Sequence, residues 1–430
     1  MLFRSTSEVR HHVGCRKFIQ KVFDNGWIYK GKYEGLYCEG CESFKTEKEI
    51  AEAGGVCPDH KVPPVHRSEP CYYFALSKFQ DKLLEFYELK PDFIQPESRR
   101  NEVLSLVQSE LRDVNITRVG QQWGIGVPFE ETFTIYVWFD ALLNYITGIG
   151  YGTDEERFKD WWPAAIHFIG KDITRFHCAL WPAMLLAAGV EPPRMVFAHG
   201  FVTVEDQKMS KTLGNVIDPL DIIAKSSVDA CRYYFLRECP FPGDGDFSWR
   251  RFQDLYNADL ANNLGNLYSR VVTLITKNFG GHLEGTSGVE PGEIYENVDT
   301  EATTQQVEDH IEACQYSQAL ERIWRQILDP ANRHADKTEP WKLVKSDLAA
   351  AKQVLHDLAE VLRVVSILLK PFLPRSAETI YRAFNFSPSW EKVRYEDAAT
   401  WPGRSEDLAV VESLRVGKVA PLFPRIEVKE

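Results

Sequence analysis

One stretch constrains the architecture more than any other. From Phe247 to Gly281 the chain reads FSWRRFQDLYNADLANNLGNLYSRVVTLITKNFGG. Leu260, Leu264, Leu267, Val271 and Leu274 recur on one face at helical spacing, and Gly280-Gly281 is a natural carboxyl-terminal stop. The stretch predicts one long amphipathic helix with no strand signal. Further on, SDLAAAKQVLHDLAEVLRVVSILLKPFLP predicts a second. Ser346 is its expected N-cap, and Val354, Leu355, Leu358, Val361, Leu362, Val365 and Leu369 form its apolar stripe, ending at Pro371. The part after Phe247 is therefore expected to be a helical bundle.

Ahead of that boundary the pattern differs. From Gly31 to about His66 the sequence is rich in Cys, Gly and Pro and reads as loop. From about Val114 to Val204, apolar runs alternate with helical patterns. FTIYVWFDALL, AIHFIGKD and MVFAHGFVTV read as strands, each ending near a glycine or a charged residue. The first lacks strict alternation, as expected of a strand covered on both faces. Strands separated by helices predict a parallel α/β layer.

The 430 residues leave room for two or three domains. A net charge of −12 argues against a protein that coats nucleic acid indiscriminately, though not against a local binding face. No run is apolar enough to span a bilayer, so no membrane partner is expected. The start, MLFRSTSEVRHHVGCRKF, lacks the features of a signal peptide. Nine cysteines without scaffold spacing indicate a reducing compartment, read as the cytoplasm or an organelle interior.

Four ligand-type residues stand apart. In YCEGCESFKTEKEIAEAGGVCPDHK, Cys38 and Cys41 are paired across two residues, as are Cys57 and His60. Three thiolates and one imidazole fill a tetrahedral zinc shell with no open position, which makes a structural site. Cys15, Cys71, Cys178, Cys231, Cys239 and Cys314 read as packing residues.

A second motif is VEDQKMSKTLGNVIDP. Lys208 and Lys211 lie three apart around Ser210, on a loop given freedom by Gly214. Two ammonium groups there can draw charge onto a leaving pyrophosphate. Asp218-Pro219 then opens a helix as N-cap and first-turn proline. A bare pair of lysines at this spacing would read as a solvated turn; the full string after HGFVTV is more specific.

KMSKT resembles the KMSKS signature of class I aminoacyl-tRNA synthetases. With WFDALLNY, HFIGKDITRFH, HGFVTV and the single knuckle, the chain resembles the methionyl-tRNA synthetase family in its bacterial single-knuckle form, from FRSTSEVRHH to the final LFPR. The resemblance implies a partial Rossmann-like catalytic α/β domain, a zinc-knuckle insertion and a C-terminal all-α anticodon-binding bundle. It implies the boundaries 1–30 for a remnant of the first Rossmann half, 31–113 for the insertion, 114–246 for the second half with the KMSKS loop, and 247–430 for the anticodon domain. It implies methionine, ATP with Mg²⁺, and tRNA(Met) as partners.

Residue roles follow from the same resemblance. Lys208 and Lys211 would be catalytic, steadying the ATP phosphates together with Met209, Ser210 and Thr212. Thr212 replaces the more usual serine and keeps a hydroxyl. Gly170 and Asp172, at a strand end, would bind the nucleotide. Trp138, Ala141, Tyr145 and His177 match the methionine side-chain pocket, where aromatic faces suit a polarizable thioether. Seen alone, Trp138 and Tyr145 would read as core aromatics and His177 as a structural histidine. Asn262, Asn266 and Arg270 match a polar stripe that faces the anticodon, and Trp341 in KTEPWK matches its stacking residue. Without the resemblance the first three read as an exposed helix face.

The HIGH-type partner motif of class I enzymes is not found. His11-His12-Val13-Gly14 and His167-Phe168-Ile169-Gly170 both lack its closing histidine. The first Rossmann half is expected to precede Met1, so an exposed sheet edge and little adenylation by the isolated chain are expected. Three explanations stand: a shortened amino terminus of a working enzyme, a split enzyme completed by a second chain, and a tRNA-binding relic without catalysis. A monomer is the default. Another class I synthetase is the remaining enzymatic alternative; those for branched aliphatic amino acids are expected to carry a larger insertion.

Overall fold

The computed structural model describes residues 6–40, 43–45, 47–109, 111–120, 123–209, 214–240, 243–284, 293–400, 413–417 and 420–427. The chain divides into two units, Met1–His199 and Gly200–Glu430. Each has its own hydrophobic core.

In the first unit, helix α1 (Val9–Asp24) packs one apolar face, with Cys15, Phe18, Ile19 and Val22 buried. It leads into β1 (Ile28–Cys38), β2 (Ser43–Lys45) and β3 (Val65–Phe74). β1 and β3 run antiparallel over ten paired positions, from Ile28 opposite Phe74 to Tyr37 opposite Val65. This corrects the loop expected over Gly31–His66. The ribbon is largely solvent-facing, so its residues need not show an apolar face. Gly31 reads as a loop residue but is needed in the strand: a Cβ there would lie 3.0 Å from the Tyr73 ring.

The parallel layer is built from β4 (Ile94–Gln95) and two later strands. Before those come β5 (Val114–Asn115), β6 (Thr117–Val119), β7 (Phe133–Ile135) and helix α2 (Val137–Ala141). FTIYVWFDALL is thus not one strand. Three residues pair antiparallel with β6, and after Tyr136 the chain turns helical. A continuous apolar run does not by itself distinguish strand from buried helix. β8 (Ile166–Gly170), helix α3 (Trp181–Ala188) and β9 (Met195–His199) then complete a parallel sheet of order β4-β9-β8. AIHFIGKD is a strand as expected.

MVFAHGFVTV contributes two strands, β9 to the first unit and β10 (Val202–Val204) to the second. β10 forms a hairpin with β11 (Gln207–Lys208). Its turn, Glu205-Asp206, has φ of 50° and 59°, the left-handed pair that tight hairpins require. Asp218 caps helix α4 (Pro219–Lys225) by accepting the Leu220 N–H, and Pro219 occupies its first turn. β12 (Gly245–Phe247) lies parallel to β10.

After Phe247 the long helical stretch appears as expected, but in three pieces. Trp249–Leu255 is regular, Tyr256–Leu264 is wound in wide π-type turns, and α5 (Gly265–Phe279) is regular again. Gly280 closes it in the left-handed conformation at φ 61°. Leu260, Leu264, Leu267 and Val271 are buried, and Leu274 packs against the core from its edge. Helix α6 (Asp329–Thr338) and helix α7 (Leu348–Leu369) belong to the same core. The N-cap of α7 is Asp347, whose carboxylate accepts the Ala350 N–H; Ser346, the expected cap, lies one residue earlier. Among the described residues no helix is long and apolar enough to cross a membrane.

α7 is buried nearly all round, and so carries charges that must be paired. Arg363 donates to Glu360 at 2.8 Å, to the Asp397 carbonyl at 2.9 Å and to the Thr400 carbonyl at 2.7 Å. The guanidinium thereby pins residues 397–400 to the helix. Arg363→Met leaves Glu360 as an uncompensated buried charge and two carbonyls without their donor. It is expected to cost roughly 3–5 kcal/mol, measurable as a lower denaturant midpoint with unchanged slope.

Candidate functional sites

The aromatic cup of the first unit forms around a buried histidine. His177 lies in Phe176–Leu180, a segment of π-type turns directly before α3. Such turns recur at functional sites because they re-aim one side chain. Its Nδ1 is 3.1 Å from the Ile173 carbonyl and its Nε2 2.8 Å from the Tyr145 hydroxyl. A carbonyl only accepts, so Nδ1 carries the proton and Nε2 accepts from Tyr145. Burial holds His177 below the ordinary imidazole range and raises Tyr145 above the ordinary phenol range. Both groups are neutral at pH 7.

Trp138 stands on α2, with Ala141 three residues on and half-buried. The Trp138 ring stacks on Phe176, the neighbour of His177, at 4.1 Å and 9°. Trp138 and His177 are therefore held to one wall through adjacent residues. Sequence reading missed Phe176, and it missed His167 on β8. His167 stacks on Tyr145 at 4.1 Å and accepts the Trp181 indole N–H at 3.1 Å. Burial, reinforced by His177, pushes it down to about 4. Strand alternation was the available signal for it, since His167 and Ile169 are buried while Phe168 between them is 48% exposed.

Gly170 ends β8, opposite His199 in the parallel register, and Asp172 is exposed just beyond it. Both sit at the carboxyl ends of parallel strands, the usual ligand side of such a layer.

In the second unit, Lys208 ends β11 and is exposed. Asn215 donates to the Lys208 carbonyl at 3.2 Å, which ties the base of the loop. Met209 is half-buried. Ser210, Lys211 and Thr212 lie outside the described residues.

The helical face presents Asn262, Asn266 and Arg270 opposite the leucine stripe. Arg270 bonds Asp336 on α6 at 2.9 Å, and its guanidinium lies 5.2 Å from the centroid of the Trp341 ring. The two residues expected to act together are thus in contact, with Asp336 holding the guanidinium in place. Asn262 is engaged differently, its Oδ1 accepting from Nε and Nη2 of Arg425 at 3.0 and 2.7 Å.

The ligand atoms of Cys38, Cys57 and His60 all lie within 4.8 Å of one another. Cys41 lies outside the described residues. Cys38 ends β1, where the hairpin to β2 closes; Cys57 and His60 share a turn in which the Lys61 N–H bonds the Cys57 carbonyl at 2.8 Å. Two sulfurs and an imidazole this close are a donor set suited to zinc, and these residues fit such an ion. The other described cysteines are free and, apart from half-buried Cys239, buried.

Comparison with known proteins bears on the family and the architecture. The family model described as "tRNA synthetases class I (M)" matches residues 2–63 and 59–272, and that described as "Anticodon binding domain of methionyl tRNA ligase" matches residues 284–418. The chain belongs to the methionyl-tRNA synthetase family. It is 43% identical over its whole length to a methionine--tRNA ligase of Caldanaerobacter subterraneus and 41% identical to one of Clostridium perfringens. It covers 66% and 65% of those proteins, just under two thirds of their length. The Mycobacterium tuberculosis methionyl-tRNA synthetase bound by methionyl-adenylate superposes with a TM-score of 0.85 at 35% identity, over 98% of this chain and 83% of that one. Its free state gives 0.84. The architecture is that of the family: a class I synthetase catalytic domain followed by a helical anticodon-binding domain.

Gly40 packs beside the Cys38–Cys57–His60 cluster, and ligand spacing does not flag it. A Cβ there would lie 2.7 Å from the His60 ring, so only glycine lets the imidazole approach Cys38. Gly40→Ala is expected to loosen bound metal about 10- to 100-fold, the scale of lost support around a metal ligand, read as faster zinc release to a colorimetric chelator.

Proposed function

We propose that the chain serves methionine–tRNA ligation: ATP-dependent activation of methionine to methionyl-adenylate, then transfer of the acyl group to the 3′ end of tRNA(Met). Family membership supports this reading, and the observation that carries it is the neutral Tyr145–His177 pair closing an aromatic cup with Trp138 and Ala141. Polarizable aromatic faces suit a thioether. The Tyr145 hydroxyl donates to His177, and a thioether sulfur only accepts, so the polarizable aromatic faces, not a hydrogen bond from this pair, separate methionine from a plain aliphatic chain.

In this reading a methionine carboxylate oxygen attacks the α-phosphorus of ATP as the bond to pyrophosphate breaks. Lys208 and Lys211, with Met209, Ser210 and Thr212, steady the phosphates, and Mg²⁺ shares their charge. Gly170 lets the nucleotide approach and Asp172 binds a ribose hydroxyl. No covalent enzyme intermediate is needed, so the residues act by position and field. A hydroxyl of the terminal tRNA adenosine then attacks the carbonyl and AMP leaves. Cys38, Cys41, Cys57 and His60 hold a structural zinc in the insertion, residues 31–113. Asn262, Asn266, Arg270 and Trp341 read the anticodon.

The RNA half of the reading has a direct test. The full chain is titrated with the labelled anticodon stem-loop of tRNA(Met) and with the same hairpin carrying a scrambled anticodon. Trp341→Ala is expected to weaken binding of the cognate loop roughly 5- to 150-fold, as for one lost stacking platform of about 1–3 kcal/mol. Arg270→Ala should also narrow the difference between the two loops. Equal binding of both loops by the unaltered chain would sink the reading.

A further inference from the structure

The polar face that carries Asn266 and Arg270 does not stop there. On α5, Asn266, Arg270, Thr273 and Lys277 follow at spacings of four, three and four residues, which keeps them on one side of the helix. Next to Thr273 and Lys277 lies a groove of 380 Å³ between this helix and Pro421. Its floor is buried Val272, its rim exposed Pro421, and the hydroxyls of Ser269, Thr273 and Thr276 line it. Thr276 donates its proton to the Val272 carbonyl at 2.8 Å, so its hydroxyl has no proton left for a ligand. Lys277 is exposed at the far end, about 10 Å along the axis from Arg270 at 1.5 Å per residue.

We infer that this groove is a subsite for one unpaired RNA nucleotide adjacent to those read at Arg270 and Trp341. The inference rests on the anticodon reading above. The Lys277 ammonium meets the phosphate, the Ser269 and Thr273 hydroxyls meet the ribose or base edge, and Pro421 with Val272 gives the base an apolar surface. Complementary charge points to a phosphodiester: the described lining residues include the Lys277 ammonium and the Ser269 and Thr273 hydroxyls, and among the described residues of the lining there is no carboxylate. The volume sits at the small end of ligand pockets, roughly 300–1,000 Å³, which suits a single nucleotide rather than a duplex. Single-stranded RNA is held in this way, by a cation on the backbone and a flat surface under the base.

A lysine in the last turn also complements the helix carboxyl end, so the test must read RNA and not stability. The full chain and its Lys277→Ala, Thr273→Trp and Trp341→Ala variants are titrated with the tRNA(Met) anticodon stem-loop over a range of salt concentrations. Lys277→Ala is expected to weaken binding about 3- to 10-fold and to flatten the log–log salt dependence by about 0.7, the loss of one phosphate contact on a single strand. Thr273→Trp fills the groove and weakens binding while leaving Lys277 in place. Trp341→Ala weakens binding without changing the salt slope. If Trp341→Ala weakens binding while Lys277→Ala leaves affinity and slope unchanged, the subsite is overturned and the anticodon reading stands. If Trp341→Ala has no effect, the anticodon reading fails and this inference with it.

Discussion

The hydrogen bond between Tyr145 and His177 is the interaction on which the rest of the candidate pocket depends. It works only because the imidazole is neutral and protonated at Nδ1, toward the Ile173 carbonyl. Burial supplies the neutrality, and the packing around the pair supplies the burial: His167 against Tyr145, Trp181 against His167, Phe176 beneath Trp138. A charged His177 would have no acceptor use for Nε2, and Tyr145 would lose the partner that orients it. Methionine itself is uncharged at its side chain. A cup whose polar tips are all neutral suits a thioether and gives an added charge nothing to pair with.

The second unit solves a different problem with a different device. Its helices must bury a wide apolar stripe and still present a polar face. Leu260, Leu264, Leu267 and Val271 bury one side of the long helix while Asn266, Arg270, Thr273 and Lys277 line another. Asp336 fixes Arg270, so the guanidinium and the Trp341 ring are already in contact without RNA. A preorganised platform spends less of its binding energy on ordering side chains. The buried Glu360–Arg363 pair plays the comparable part in the core, converting a costly charge into a tie between α7 and the chain that follows.

Much of this was legible in the sequence, for reasons that can be named. The leucine stripe and the Gly280 stop were visible because a long helix repeats its signal over many turns. All four candidate metal ligands were readable from spacing, since tight turns bring such pairs together; Cys38, Cys57 and His60 are found side by side, and Cys41 lies outside the described residues. The cap and proline at Asp218-Pro219 follow from local chemistry alone. The misreadings are equally specific. The β1–β3 ribbon is buried only at its ends, at Ile28, Cys38, Cys71, Tyr72 and Phe74, so most of its length shows no apolar alternation, and a side chain at Gly31 would crowd the Tyr73 ring. FTIYVWFDALL is apolar throughout, so nothing local marks the change from strand to helix at Tyr136. The cap of α7 shifted by one residue because Ser346 and Asp347 are both good caps. The π-type turns at Phe176–Leu180 and Tyr256–Leu264 leave no mark in the pattern, although they carry His177 and Asn262. Gly40, Phe176, His167 and Asp336 act on other residues rather than on a ligand, and no motif announces such roles.

The central claim is that His177 sits neutral in a cup made for a thioether. Histidine side-chain nuclear magnetic resonance of the labelled chain tests it most directly. At about pH 6.5, where an ordinary imidazole is half charged, His177 should still give mainly the signals of the neutral Nδ1–H tautomer. Those signals should move when methionine is added and stay in place when alanine is added. An imidazolium at that pH, the Nε2–H tautomer, or signals that methionine leaves unmoved would contradict the account.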